Sequence, residues 1–199
     1  MKRIYVIKIW GMNMVYDSWK WKTELREEKR QLIRYNTKKN FDKNFEGTYF
    51  KIERALLYSA FIIRILIESE KLSNDADIYN LNVSYNIPRK NIDRLHRWLE
   101  EDEYDWDNTI NKPVVGKNVC NWLIHSYVFK FLFEENGVIL GFFVSSDYDR
   151  NKVLYSVTLE EWINFIDFII SDDVISVSSH FDKKREDYII KEKIRGNVR

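Results

Sequence analysis

The spacing of apolar positions divides the chain into a helical first half and a strand-rich second half. From about Met14 to Tyr35, the apolar positions Met14, Trp21, Leu25, Leu32 and Tyr35 fall on one face of a 3.6-residue helix. The stretch is rich in Glu, Lys, Arg and Leu and holds neither Gly nor Pro, as a helix requires. Residues 3–10 alternate loosely and predict a short strand or a lead-in to that helix, with a break at Gly11. The polar run from Asn36 to Asn44 predicts a turn, and Phe45 to about Lys71 a second helix, with Phe45, Tyr49, Ile52, Leu56, Ile63 and Leu66 in helical period. Between Ala55 and Ile67 apolar residues occupy every face, which predicts a central, buried helix. Arg64 interrupts that run and must pair or lead its charge out along its stem. Two long helices joined by a short polar turn imply an antiparallel helical hairpin.

Period two then replaces period 3.6. Tyr79, Leu81, Val83, Tyr85 and Ile87 alternate with Asn80, Asn82, Ser84 and Asn86, so one face is buried and the other wet, and Pro88 ends the strand. Residues 91–101 predict a short helix ahead of an acidic loop. Beyond Pro113, Asn118 predicts the cap of a helix reaching His125, and Tyr127–Phe133 a strand. Asn136-Gly137 predicts a type I′ hairpin turn into a second strand, Val138–Val144. Asp147–Asn151 predicts a further turn and Val153–Val157 a third strand. Thr158-Leu159-Glu160-Glu161 has the form of a capping box, with Glu161 reaching back to the cap residue, and the helix after it buries Trp162, Phe165, Ile166 and Ile169. Val174–Val177 predicts a last strand, and the charge-rich remainder from His180 an appended helix or a mobile tail.

The expectation is therefore a single α+β domain over residues 1–199: a long N-terminal helical hairpin plus a C-terminal antiparallel β-meander packed by a capped helix. The helical lobe spans about 1–110, the β-meander/helix lobe about 114–180, and the charged C-terminal tail 181–199.

Composition and charge sharpen this in four places. Seven Trp, twelve Tyr and twelve Phe exceed what a core of 199 residues absorbs, so part of the aromatic surface is expected at an interface. The lone Cys120 excludes an intrachain disulfide and suits a reducing, cytoplasmic setting. The N-terminus lacks the pattern of a signal peptide, and Ala55–Ile67 falls short of the roughly 20 apolar residues of a membrane span. The net charge of +1 hides an asymmetry: fourteen Lys and Arg against seven Asp and Glu in residues 1–60, and an acidic excess thereafter.

No phosphate-cradling glycine loop, zinc-ligand spacing or nucleophile elbow occurs, so no metal or cofactor is expected. Asp147-x-Asp149-x-Asn151 opens like a calcium loop, but Lys152 stands where the glycine is needed and Thr158 where the bidentate Glu should be.

Four groups of residues remain as candidates. Glu100, Glu101, Asp102, Glu103, Asp105 and Asp107 interleave with Tyr104 and Trp106, just after Trp98; an acidic, aromatic segment of this kind suits a basic protein partner. Lys22, Arg26, Arg30, Arg34 and Lys38 recur every four residues and make a basic stripe able to meet phosphates. Arg89 and His96 could act together on RNA, the histidine handling the proton and the arginine the phosphate charge. Their spacing is similar to that of small helical ribonucleases of the HEPN class, although Lys90 stands where those carry a polar residue and Pro88 puts Arg89 at the edge of any helix. Asn121, His125 and Asp147 could form a small polar site.

The leading expectation is an intracellular protein–protein interaction module of immunity or antitoxin type, binding another protein or itself as a homodimer. The alternative is a metal-independent ribonuclease or RNA-binding protein using the basic helix and the Arg89/His96 pair. No membrane partner is expected.

Overall fold

The computed structural model describes residues 17–95, 99–100 and 102–196. The expected strand or lead-in over 3–10, the break at Gly11 and the helix start at Met14 lie outside them. Helix α1 (Ser18–Tyr35) and helix α3 (Phe45–Glu68) form the anticipated antiparallel hairpin, with Leu25 and Leu32 buried against α3. The connection is more ordered than a polar turn. Thr37 caps a six-residue helix, α2 (Lys38–Lys43), through Oγ1 accepting from the Asn40 N–H, and Phe41 anchors it in the core. Asn36 ends α1 by behaving like a strand residue: its side-chain amide donates to the Ile139 carbonyl at 2.8 Å and accepts from the Ile139 N–H at 2.7 Å.

Helix α3 stops at Glu68, three residues before the expected end. Lys71 N–H reaches the Leu66 carbonyl and Glu70 N–H the Ile67 carbonyl, which is a Schellman ending. Glu70 takes the left-handed position, φ 56°, that glycine usually fills. A short helix α4 (Asn74–Ile78) leads into β1 (Asn80–Asn86).

The five strands β1, β2 (Ile110–Val115), β3 (Ser126–Phe133), β4 (Ile139–Ser146) and β5 (Leu154–Thr158) form one antiparallel sheet in the order β2-β1-β5-β4-β3. The meander β3-β4-β5 follows the sequence expectation. The strands from the helical half, β1 and β2, extend the same sheet. Helix α5 (Gly116–Ile124) carries the chain from the β2 edge to the β3 edge, and α6 (Leu159–Ser171) follows β5. Both lie on the inner face, with α3 packed on them and α1 on α3 and α6.

The inner face is where the two periods meet. Leu81 and Val83 of β1, Phe131 of β3, Phe142 and Val144 of β4, and Tyr155 and Val157 of β5 join Ile63 and Leu66 of α3, Val119 and Leu123 of α5, and Phe165 and Ile166 of α6 in one continuous core. Trp162 is at its centre, edge-on to Phe142 and Phe165, with its indole N–H donating 3.0 Å to Ser59 Oγ. That bond satisfies a polar tip that full burial would otherwise leave costly.

Several local expectations change. Helix α5 begins at Gly116 without a side-chain cap, two residues before Asn118. A Cβ at Gly116 would lie 2.3 Å from the Phe165 ring, so close packing of α5 on α6 selects glycine there. In the Glu134–Val138 hairpin only Gly137 has positive φ (83°), and its N–H bonds to the Glu134 carbonyl. This is a type I turn closed by a left-handed glycine, not a type I′ turn. The capping box is half made: Thr158 Oγ1 accepts from Glu161 N–H, but the Glu161 carboxylate accepts from the Asn82 backbone and side chain and ties α6 to β1. Residues 91–95 and 99–100 are not helical. The strand expected from Val174 runs on to Asp182, and the remainder from His180 is neither a helix nor a tail: β6 (Val174–Asp182) pairs with β7 (Asp187–Arg195) in a separate two-stranded hairpin. No described helix is long and apolar enough to cross a membrane.

Candidate functional site

The described residues between Ile87 and Thr109, which link β1 to β2, fold over the outer face of the sheet. Ile92 and Tyr104 are fully buried there against Val128 of β3 and Leu154 of β5, with Trp106 edge-on to Phe143 of β4. The segment is held as two strand-like arms: Arg89 N–H donates to the Glu103 carbonyl, and Asp105 N–H to the Ile87 carbonyl. Asn86, expected on the wet face of β1, is buried beneath it and donates 2.8 Å to both the Asp105 carbonyl and Thr109 Oγ1.

Most of the acidic, aromatic candidates therefore face inward or toward one another. The Tyr104 hydroxyl has no partner among the described residues, and burial pushes its ionisation far up. Glu103 is buried and accepts from the Glu100 N–H at 3.0 Å. Asp102 binds Lys90. Arg89 donates 2.6 Å to Asp105 and reaches Asp107 at 3.4 Å. Asn108 and then Arg89 hold the Asp105 carboxyl below the usual carboxylate range, and Asp105 in turn raises Arg89. The guanidinium expected to meet a phosphate is thus already neutralised by two carboxylates. Its proposed partner His96, together with Trp98 and Glu101, lies outside the described residues.

The basic stripe on α1 is also divided. Lys22 is buried: it donates to the Asp172 carbonyl and lies 2.9 Å from Asp173. Asp172 is fully buried at the end of α6, where it accepts from the Ser73 N–H. This knot joins α1, α6 and the turn after α3, so Lys22 holds helices together. Arg26, Arg30, Arg34 and Lys38 are exposed, with Arg30 3.4 Å from Glu27 and Arg34 over the Tyr35 ring.

Asn121, His125 and Asp147 do line one cleft, of about 440 Å³, with Trp122, Ser146, Tyr148 and Asp149. His125 stands at the C-terminus of α5, its backbone N–H closing on the Asn121 carbonyl at 2.9 Å. Ser146 Oγ donates 2.9 Å to Asp149, which fixes the β4–β5 turn. Asp147 also borders a second cleft with Asp93, Arg94, Leu95, Tyr127 and Arg150. The cleft gathers one imidazole and two carboxylates. Cys120, one turn before Ile124, is fully buried with its thiol pushed far up by desolvation, and supplies no nucleophile.

A further surface escaped the periodicity. Helix α3, expected to be buried all round, keeps one open side, where Phe50 is 61% and Phe61 43% exposed. With Glu53, Arg54, Leu57 and Tyr58 they line a groove of about 380 Å³, with Tyr58 and Phe61 stacked 6.2 Å apart. Burial raises the Glu53 carboxyl, and neither Glu53 nor Arg54 is in an ion pair among the described residues. The available signal was the excess of aromatics itself: once α1, α5 and α6 take their sides of α3, apolar residues on the fourth remain in water.

Comparison with known proteins gives no match to a family model, a curated protein or a solved structure. What the geometry defines is a class of architecture: an antiparallel five-stranded sheet with two helical layers on one face and a folded-back loop on the other.

Proposed function

We propose that this chain is a non-enzymatic interaction module that binds another protein, in the manner of an immunity or antitoxin-type factor. The observation that carries the reading is the groove on α3. A row of Phe50, Leu57, Tyr58 and Phe61 open to water costs solvation free energy that a partner would relieve, at about 25 cal/mol per Å² of apolar surface covered. Its shape suits an amphipathic helix laid along α3, with apolar anchors every three or four residues. Glu53 and Arg54 beside those anchors favour a cation and a carboxylate on the partner, with Arg54 also facing Glu28 of α1. The pairing of Arg89 with Asp105 and Asp107 weighs against the ribonuclease reading.

The test is a native pull-down with the tagged full chain and with the Phe50→Glu/Phe61→Glu double variant, each at low salt and at ~0.5 M salt, which breaks phosphate contacts. Circular dichroism first establishes that the variant is folded. A stoichiometric protein partner that survives salt and is lost with the variant supports the module. Salt-sensitive RNA retained equally by both proteins overturns it and makes RNA cleavage by a His96→Ala variant the next comparison.

A further inference from the structure

The β6–β7 hairpin stands apart from the five-stranded sheet. Its base is tied down: Lys193 N–H donates to Asn74 Oδ1 at 3.2 Å, and Arg195 donates 2.8 Å to Ser171 Oγ. Above that base, every residue of β6 from Ile175 to Phe181 is exposed, on both faces of the strand. A two-stranded hairpin in water is marginal by itself, because too little apolar surface is covered to offset the entropy of ordering it.

The two strands of the hairpin differ in chemistry. β7 carries Asp187, Lys191, Glu192, Lys193 and Arg195, the kind of charged side chains that keep an edge from pairing. β6 reads Val-Ile-Ser-Val-Ser-Ser-His-Phe from Val174 to Phe181, with no Lys, Arg, Asp, Glu or Pro. Among the described residues nothing pairs with the backbone groups of β6 that face away from β7, and Ile175, Val177 and Phe181 are 70%, 53% and 49% exposed.

We propose that β6 is a self-pairing edge: two copies of the chain join β6 to β6 antiparallel about a two-fold axis at Ser178, making a four-stranded sheet. In this register Val177 of one copy lies opposite Ser179 of the other, and Ser176 opposite His180. Ile175, in the bulge near the base of β6, meets Phe181 at each end, so the most exposed apolar side chains cover one another and no like charges are opposed. An axis at His180 would set two imidazoles face to face, one at Ser176 or Val177 would carry Phe181 past the start of the partner strand, and one at Ser179 would carry Ile175 past its end; the pattern therefore selects Ser178. The occupant is a second copy because the strand is complementary to itself. This inference does not rest on the α3 groove, which lies on a different element.

The test uses the full chain and three variants. Light scattering on the eluting protein should give about twice the chain mass for wild type. Val177→Lys, which puts a charge on the edge directly opposite Lys193 of β7, should give the single-chain mass, with circular dichroism establishing that the chain is folded. Ser178→Cys should form an intermolecular disulfide under mild oxidation, since residues opposite one another across the axis have Cα atoms about 4.5–5.5 Å apart. The crosslink is attributable because the only native thiol, Cys120, is buried. The variant also stands alone if Val177→Lys does not fold. A monomeric wild type that forms no Ser178→Cys crosslink overturns the proposal. So does a dimer that persists in Val177→Lys and dissociates in Phe61→Glu, which would place the contact on α3.

Discussion

On its inner face the five-stranded sheet meets α5 and α6, and through them α3 and α1; on its outer face, among the described residues, it meets the loop between β1 and β2. The inner contact is large and almost wholly apolar, and the Trp162 indole N–H at its centre is satisfied by Ser59. The outer contact has four buried residues at its centre and is closed by a rim of ion pairs: Arg89 with Asp105 and Asp107, and Lys90 with Asp102. Exposed pairs of that kind each contribute little, roughly 0–1 kcal/mol. The comparison teaches that the same sheet is held on one side by area and on the other by position. The loop stays because its backbone hydrogen-bonds to itself and to Asn86, and because Tyr104 reaches the sheet.

The largest expected effect comes from breaking the inner face. Trp162→Ala should lose about 3–5 kcal/mol in urea unfolding, with all probes moving together, because the cavity lies where every layer meets. Breaking the outer face should look different. Tyr104→Ala should cost about 3 kcal/mol at most, and hydrogen exchange should rise first in residues 87–109 while the helices remain protected. Tyr104→Phe sharpens the contrast. The buried hydroxyl has no partner among the described residues, so removing it should raise stability by about 1 kcal/mol; a loss of that size would mean the hydroxyl is satisfied after all.

A smaller effect probes the α1–α3 contact and depends on pH. Glu28 is buried, and desolvation raises its carboxyl above the ordinary 4.5. The folded state therefore holds this proton more tightly than the unfolded chain. The stabilising contribution is complete below pH 4.5 and is lost as the pH climbs through the raised value. Glu28→Gln should thus be more stable than wild type at pH 7 and draw level near pH 4. Equal differences in urea melts at the two pH values would show that the carboxylate is not desolvated. The smallest effect is at the end of α3, where Glu70→Gly should add about 0.5–1 kcal/mol by relieving the left-handed backbone.

How much of this was legible beforehand follows the same division. The inner face was readable because burial against helices imposes a strict period: Leu81 and Val83 on β1, and Trp162, Phe165, Ile166 and Ile169 on α6, lie where their spacing puts them. The outer face was not. Nothing in the run from Glu100 to Asp107 distinguishes a tyrosine that will cap a small core from one offered to a partner, because a loop has no period to count. The polar trio Asn121, His125 and Asp147 was named from α5 and the β4–β5 turn, and the cleft that gathers them depends on the meander bringing β3 and β4 side by side.

By itself, then, the sequence determined the α+β class, the helical hairpin, the meander and the helix that caps it, since each of these rests on local spacing, propensity or turn chemistry. Only the tertiary structure decided that β1 and β2 extend the meander's sheet, that Lys22 is a buried tie between helices, that Arg89 is neutralised by Asp105 and Asp107, and that α3 and β6 keep open apolar faces. The reason is physical. Local pattern states which side of an element is apolar, but whether that side is covered depends on how many neighbours reach it, and those neighbours come from residues far along the chain.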